Sequence, residues 1–361
     1  MKIAVVNWRD PWHPQAGGAE TFAWEPARLL ARAGHRVWFV TARAPGQSRE
    51  ETVQGVRIVR MGGAFTVYPL VLGWLLARRW RFDAVLDCQN GIPFFTPWVV
   101  GRRTRVVCVV HHVHDRQFGV HLPGWLAAVG RFLEGPVSRW SYRRHPSVAV
   151  SPSTATAMRE RLGWKGPVHI IPNGVSVASP GDVARSRSPR LVCVGRLVAH
   201  KRVDLLLDAV AELRTRWPDL AVDVIGRGPE WDRLRARLPP GVTLHGWVPE
   251  EEKSRLVARA WLHVSASQGE GWGLSVLEAA ALGVPTVAYD VDGLRDAVRH
   301  GETGWLLAEG TDLAKGIATA LDEVDHTYTV NCRAWADRFS WDRSTERLMA
   351  ILHGDPLGED W

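Results

Sequence analysis

The strongest constraint on this chain is an alternation. Apolar runs of strand length, Val37 to Thr41, Ala84 to Leu86, Arg105 to Val110, Val148 to Val150 and Val168 to Ile171, are separated by segments with helical spacing. The second half repeats the pattern with Leu191 to Val194, Val222 to Ile225, Leu262 to Ser265 and Thr286 to Ala288. Parallel strands need a long crossover, and a crossover helix covers a face of the sheet, so each strand–helix–strand unit implies a parallel sheet clad in helices. Two such series predict an α/β chain of two Rossmann-like domains facing each other across a cleft, with ligands bound beyond the carboxyl ends of the strands. The polar stretch Ala178 to Pro189, which contains Pro180 and Gly181, separates the series and reads as the connection between domains 1–178 and 189–339. At 361 residues and 46% hydrophobic content the chain is long enough for two cores.

Strand-like Ile3-Ala4-Val5-Val6 follows Met1 almost at once, with no basic, apolar and small-residue leader, so a cytoplasmic protein is expected. Cys88, Cys108, Cys193 and Cys332 show no Cys-x-x-Cys spacing, which argues against a disulfide framework and a cysteine metal site. The net charge of +7 hides an asymmetry. Residues 1–180 hold 23 Lys and Arg against 10 Asp and Glu, a net of +13, while the remainder holds 22 against 28, a net of −6. A basic first half suits an anionic partner such as a lipid headgroup or a phosphate-bearing acceptor. Nucleic acid is disfavoured, because no helix-turn-helix, zinc-finger or RNA-binding signature accompanies the charge. Compositional bias is an equal explanation, given 40 arginines against five lysines. The apolar run Ala64 to Ala77, followed by Arg78-Arg79-Trp80-Arg81, is too short to span a bilayer and is interrupted by Pro69 and Gly73. A buried helix is the favoured reading, with a peripheral place at the inner face of a membrane as the alternative.

The chemistry concentrates in Glu270-Gly-Trp-Gly-Leu-Ser-Val-Leu-Glu278. Helical spacing runs to Leu282, where Gly283 stops it and Pro285 prevents its resumption, so a helix begins near Gly273. Two carboxylates then bracket a helix N-terminus, whose free amides and positive dipole suit phosphate while the acids suit hydroxyls. A nucleotide sugar combines those groups. Arg196 and Lys201 lie in a glycine-led loop before the helix Asp204 to Leu213. In a chain so poor in lysine, Lys201 suggests that a compact point charge was wanted.

With Ser-Ala-Ser-Gln-Gly ahead of it and Ala-Ala-Leu-Gly-Val-Pro-Thr-Val-Ala behind it, the glutamate segment resembles the signature of retaining glycosyltransferases of the GT-B fold, family 4 (glycosyl transferases group 1) in particular. The resemblance continues in order through Gly17-Gly18-Ala19-Glu20, His111, Val150-Ser151, Ile171-Pro172-Asn173-Gly174-Val175, Val194-Gly195-Arg196-Leu197 with Lys201, and Val224-Ile225-Gly226-Arg227-Gly228-Pro229-Glu230. Each piece is weak, but their order over some 300 residues is specific. One departure is Val175-Ser176, where many relatives have Val-Asp.

The resemblance implies a donor of the nucleoside diphosphate sugar type, UDP- or GDP-linked, with Arg196 and Lys201 on its diphosphate and no other cofactor. Glu278 would accept from the ribose and Glu270 from the transferred sugar. Gly195, Gly226 and Gly228 would shape the nucleotide pocket, the base would lie near Gly246-Trp247-Val248, and the amides of Trp272, Gly273 and Leu274 would meet sugar and diphosphate. Gly17 and Gly18 would approach the phosphates and the acceptor, His111 would hydrogen-bond the donor sugar, and Asp115 is a candidate for the hydroxyl acceptor, whether a sugar, a lipid-linked saccharide or a small molecule. A last helix, 340–353, would cross back onto the first domain. His112, His114 and Asp115 invite a metal reading, but ligands in so short a stretch rarely converge without a helix or hairpin, and the resemblance implies none. No nucleophile elbow is present. That fits front-face attack, in which the departing phosphate takes the acceptor's proton. Two rival classes remain, a nucleotide-sugar 2-epimerase of similar architecture and a non-catalytic sugar-nucleotide sensor.

Overall fold

The computed structural model describes residues 1–115, 118–121 and 123–357. The chain divides into two units, one of Met1–Gly174 with the segment from Trp341 onward, the other of Val175–Ser340. The first holds eight strands, β1 (Lys2–Val6), β2 (Arg36–Thr41), β3 (Glu50–Val53), β4 (Val56–Arg60), β5 (Ala84–Asn90), β6 (Arg105–His112), β7 (Ser147–Ala149) and β8 (Val168–Ile170), in the order β3-β4-β2-β1-β5-β6-β7-β8. All pair in parallel except the β3–β4 hairpin at one edge. Ile3 to Val6 and Val106 to Val110 are buried without a break, as expected where helices cover both faces of a parallel sheet. The alternation of apolar runs does not foreshadow the hairpin, because Glu50-Glu51-Thr52 is polar and exposed and Val56-Arg57-Ile58 covers only one face.

The run Ala64 to Ala77 forms the helix Val67–Leu76, but the expectation of burial holds for one face only. Val67, Val71 and Leu75 enter the core, while Leu70 and Leu76 are exposed and Phe65 and Trp80 flank them at 80% and 72% exposure. No described helix is long and apolar enough to cross a membrane. The helix Trp341–His353 belongs to the first unit, where Leu348, Ile351 and Leu352 are buried and Ser344 Oγ donates to the Pro172 carbonyl at 2.7 Å.

The second unit is a six-stranded, wholly parallel sheet of β9 (Arg190–Val194), β10 (Ala221–Ile225), β11 (Val242–Gly246), β12 (Leu262–Ser265), β13 (Thr286–Tyr289) and β14 (Gly304–Leu307), in the order β11-β10-β9-β12-β13-β14. Chain order runs outward in both directions from β9 and β12, so the topological switch point lies between their carboxyl ends. One boundary differs from expectation. Ala178 to Pro189 is irregular but tied to the second unit: Ser186 N donates to Arg259 O at 2.9 Å, Trp261 Nε1 to Ser186 O at 2.8 Å, and Arg185 to Gly283 O at 3.0 Å. The unit therefore begins at Val175, whose amide donates to Phe339 O at 3.0 Å.

Candidate active site

The switch point between β9 and β12 holds the charged residues singled out above. Gly195 and the exposed Arg196 leave β9, a short turn Ala199–Lys201 follows, and the helix Val203–Arg216 departs. A small cavity there is lined by Gly195, Arg196, Lys201 and Ser267, among others. The Lys201 ammonium pairs with Glu270, whose Oε1 also accepts from Ser267 Oγ at 2.6 Å. Burial acts to raise the Glu270 carboxyl, but the Lys201 charge, hydrogen bonds from Lys201 and Ser267, and nearby His200 together hold it below the ordinary carboxylate range. Glu270 is thus an ionised acceptor seated on its own cation.

The helix expected near Gly273 is Leu274–Ala281, with Gly273 as its N-cap at φ +81°, a left-handed conformation that glycine adopts without penalty. Leu274 opens the helix, and the Val276 amide already donates to the Gly273 carbonyl at 2.9 Å, so only the amides before it are left for a ligand. The Trp272 side chain is buried and meets Phe339 edge-on at 5.2 Å, so the indole is a packing element and the backbone of 272–274 carries the recognition potential. Glu278, one turn on, is also partnered by a lysine. Both of its oxygens accept from Lys253 at 3.2 Å, and Lys253 also pairs with Glu250 at 2.7 Å. Burial pushes the Glu278 carboxyl up and Lys253 offsets this only in part. For Lys253 burial acts downward, but the two glutamates hold its pKa above the ordinary lysine value. A lone cation shared by two carboxylates favours an extra proton.

Gly226 and Gly228 have a more immediate reason to be glycine than a nucleotide. A Cβ on Gly226 would lie 1.9 Å from the Gly195 carbonyl oxygen, and one on Gly228 would lie 2.2 Å from that of Leu197. The loops leaving β9 and β10 run backbone against backbone, fixing where Gly195 and Arg196 stand. Next to them, at the end of β11, Val248 is half-buried and Trp247 is 78% exposed.

In the first unit Gly17 caps the helix Gly18–Arg32, but its amide already donates to Glu20 Oε2 at 2.7 Å. His111 lies within β6 rather than after it, because the strand continues through His112. It is 5% exposed, meets Phe22 edge-on at 5.1 Å, and its buried Nε2 has no hydrogen-bond partner among the described residues. Burial, aided by His114, lowers its pKa to about 3, so the imidazole is neutral. Asp115, expected near the acceptor, is engaged by Arg161, whose Nε donates to Oδ2 at 3.0 Å. His114 N donates to buried Glu134 at 2.6 Å and His114 Nδ1 contacts His112 O at 3.0 Å. Among the described residues no group of three or more His, Cys, Asp or Glu is placed to hold a metal ion.

Lys253 and Ser267 partner the two candidate-site glutamates, and the motifs do not reveal them. Lys253 follows Glu250-Glu251-Glu252 and reads as an ordinary solvated helix, its one signal being membership of a set of five lysines. Ser267 lies three residues before Glu270, inside the Ser-Ala-Ser run, with nothing in its type to separate it from Ser265.

Residues 16–179 match the family described as Glycosyltransferase Family 4, and residues 188–324 match Glycosyl transferases group 1. The chain is 28% identical over 363 residues to a glycogen synthase of Mycobacterium tuberculosis, covering 90% of this chain and 86% of that protein. It is 32% identical over 254 residues to a GDP-mannose-dependent alpha-(1-6)-phosphatidylinositol monomannoside mannosyltransferase of Mycolicibacterium smegmatis, covering 61% and 66%. In fold it is similar to a sucrose-phosphate synthase of Thermosynechococcus elongatus, with a TM-score of 0.80 at 19% identity over 98% of both chains. It is also similar to the glycosyltransferase WaaG of lipopolysaccharide biosynthesis, with a TM-score of 0.76 at 16% identity over 98% of this chain and 100% of that one. With two Rossmann-like sheets and both halves matched in order, the chain belongs to glycosyltransferase family 4, the glycosyl transferases group 1, and has the GT-B fold.

Proposed function

We propose that the chain transfers a hexose-type sugar, with retention at the anomeric carbon, from a nucleoside diphosphate sugar to a hydroxyl acceptor, and that side chains rather than a metal ion neutralise the leaving diphosphate. The observation that carries this reading is the meeting of Arg196, Lys201 and Glu270 at the switch point of the second sheet, beside the N-terminus of Leu274–Ala281. Lys201 and Arg196 would meet the diphosphate, where negative charge grows as the glycosidic bond breaks. Glu270, ionised, would accept from hydroxyls of the sugar, and Glu278 from those of the ribose. The amides of Gly273 and Leu274 would face phosphate. His111 offers a neutral imidazole, the form suited to hydrogen-bonding a sugar hydroxyl. The bond to the diphosphate breaks as the acceptor oxygen approaches from the same face, and the leaving phosphate oxygen takes the acceptor's proton. The protein supplies position, electrostatics and exclusion of water. The mannosyltransferase relative is named for a GDP-sugar, which supports a nucleoside diphosphate hexose as donor.

Chelation tests the metal-free part of this reading. Activity on a turned-over donor is expected to survive dialysis against EDTA. Loss restored by magnesium or manganese would show that Arg196 and Lys201 are not the main diphosphate partners.

The acceptor side is proposed to work at an anionic membrane face. Phe65, Leu70, Leu76 and Trp80 project from the first unit beside exposed Arg79 and Arg81, and no acidic residue occurs between Glu51 and Asp83. Each basic residue near such a surface contributes about 1 kcal/mol, screened by salt. The protein should sediment with anionic but not neutral vesicles at low salt, and neutralising Arg78, Arg79 and Arg81 together should weaken this. Equal binding to both vesicle types, or binding to neither, would favour a soluble acceptor.

A further inference from the structure

Arg202 follows Lys201 and is one of three non-glycine residues with positive φ among the described residues, at +47°. The left-handed region is uncommon for a side chain that cannot bond its own backbone locally, so something outside the turn must hold it there. The guanidinium supplies that hold. Nε donates to the Ala266 carbonyl at 2.7 Å and Nη2 to the Ser267 carbonyl at 3.3 Å. The group also lies over the ring of Tyr289, 4.7 Å from its centroid. Tyr289, the last residue of β13, is buried, and its hydroxyl donates to Thr311 O at 2.9 Å.

The segment that Arg202 grips carries the site. Ser267 donates to Glu270, the Gln268 amide donates to His200 O at 2.9 Å, and the Glu270 amide donates to Asp292 O at 2.9 Å. On the far side the backbone of Gly293 packs closely on the loop, since a Cβ there would lie 2.3 Å from the Glu270 carbonyl oxygen. The loop 266–270 is therefore held between the turn 199–202 and the loop 289–293. Arg202, the last residue of that turn, touches both the loop, at Ala266 and Ser267, and the opposite wall, at Tyr289.

We propose that Arg202 is a positioning residue that clamps the Ala266–Glu270 loop to the turn bearing Lys201, and so sets the spacing between the Lys201 ammonium and the Glu270 carboxylate. The inference rests on the roles proposed for those two groups. When a donor binds, Lys201 and Glu270 exchange each other for phosphate and hydroxyl. A clamp bonded only to backbone carbonyls survives that exchange, and keeps the two groups at the spacing their ligands require. Loss of the clamp therefore acts on turnover, where alignment matters most, more than on ground-state binding.

Arg202→Gly is the decisive variant, because glycine takes the left-handed conformation without strain and the fold is not penalised by the backbone. The expected result is a Tm close to wild type, because relief of the left-handed strain offsets the lost hydrogen bonds, with faster amide hydrogen exchange over residues 266–270 and a kcat at least tenfold lower with donor KM changed less than threefold. Arg202→Lys keeps the charge but not the fork, and is expected to restore less than half of the lost kcat. Wild-type kcat in Arg202→Gly would overturn the proposal, as would a loss of activity that merely tracks a lower Tm, or full rescue by lysine. Hydrogen exchange reads the clamp without substrate. If the loop loosens in Arg202→Gly while Lys201→Ala retains full activity, it is the catalytic reading of Lys201 that has failed and not the clamp.

Discussion

Glu270 and Glu278 are both half-buried and each is paired with one of the chain's five lysines, yet their carboxyls are driven in opposite directions. Glu270 has Lys201, the Ser267 hydroxyl and His200 on its side, and its pKa falls despite burial. Glu278 must share Lys253 with Glu250, and its pKa rises. The ion pair alone decides neither outcome, because burial opposes the charged form in both places and the remaining neighbours settle the balance. Glu270 is the group kept ionised in the absence of ligand, and Glu278 is the one for which hydroxyl donors from a ligand would make the largest difference.

The sharpest way to break this comparison is to remove each lysine. Lys201→Ala takes a charge from the place where the leaving group becomes negative, so kcat/KM should fall by about a hundredfold, mostly in kcat. Lys253→Ala leaves Glu278 beside Glu250 without a cation, and the loss, about tenfold, should appear in donor KM. Steady-state kinetics on both variants decide the matter. Equal effects on the same parameter would show that the two pairs do one job.

Next in size is the pH dependence of stability, with opposite signs for the two acids. The folded pKa of Glu270 is depressed, so its stabilising contribution is present above the unfolded value of about 4.3 and is lost as pH falls through the folded value. That of Glu278 is raised, so stability is highest below about 4.3 and declines as pH rises through the folded value. Urea unfolding from pH 3 to 8 should show Glu270→Gln weaker than wild type at neutral pH, with a flatter acid limb. Glu278→Gln should match or exceed wild type at neutral pH. Parallel shifts in the two variants would erase the distinction.

The smallest effect is expected from Ser267→Ala, which removes one hydrogen bond to a charged oxygen but leaves Lys201 in place. With Lys201 still paired, a net loss of about 0.5 to 1 kcal/mol corresponds to a fall of about two- to fivefold in kcat/KM, with the acid limb of the pH–rate profile moved upward. No change in that limb would mean that Lys201 alone keeps Glu270 ionised.

Much of the scaffold was legible because it follows from local pattern. Leu191 to Val194, Val222 to Ile225 and Leu262 to Ser265 are buried runs bounded by turns, and Gly273, Gly283 and Pro285 mark the ends of one helix. β4, β11 and β14 were not legible. Val56-Arg57-Ile58-Val59-Arg60 interleaves charge with apolar residues, and Val242 to Gly246 and Gly304 to Leu307 are short, with a histidine or glycine in them. In the site, Arg196, Lys201, Glu270 and Glu278 were readable as types at spacings. Their partners were not, since Lys253 reaches Glu278 only because the helix Glu250–Ala258 packs beside Leu274–Ala281, a long-range fact with no local trace. The pairing of Asp115 with Arg161 is of the same kind.

The bare backbone contact between the loops leaving β9 and β10 limits how this protein can change by mutation. Any side chain at 226 or 228 must push the carbonyl of Gly195 or Leu197 out of place, and with it the segment that presents Arg196. Substitutions at these two positions should be eliminated in any screen for function, whatever donor is supplied. If the base lies near Gly246-Trp247-Val248, as the resemblance implies, a library aimed at a new nucleotide should randomise Trp247, which is 78% exposed, and Val248, and leave both glycines fixed.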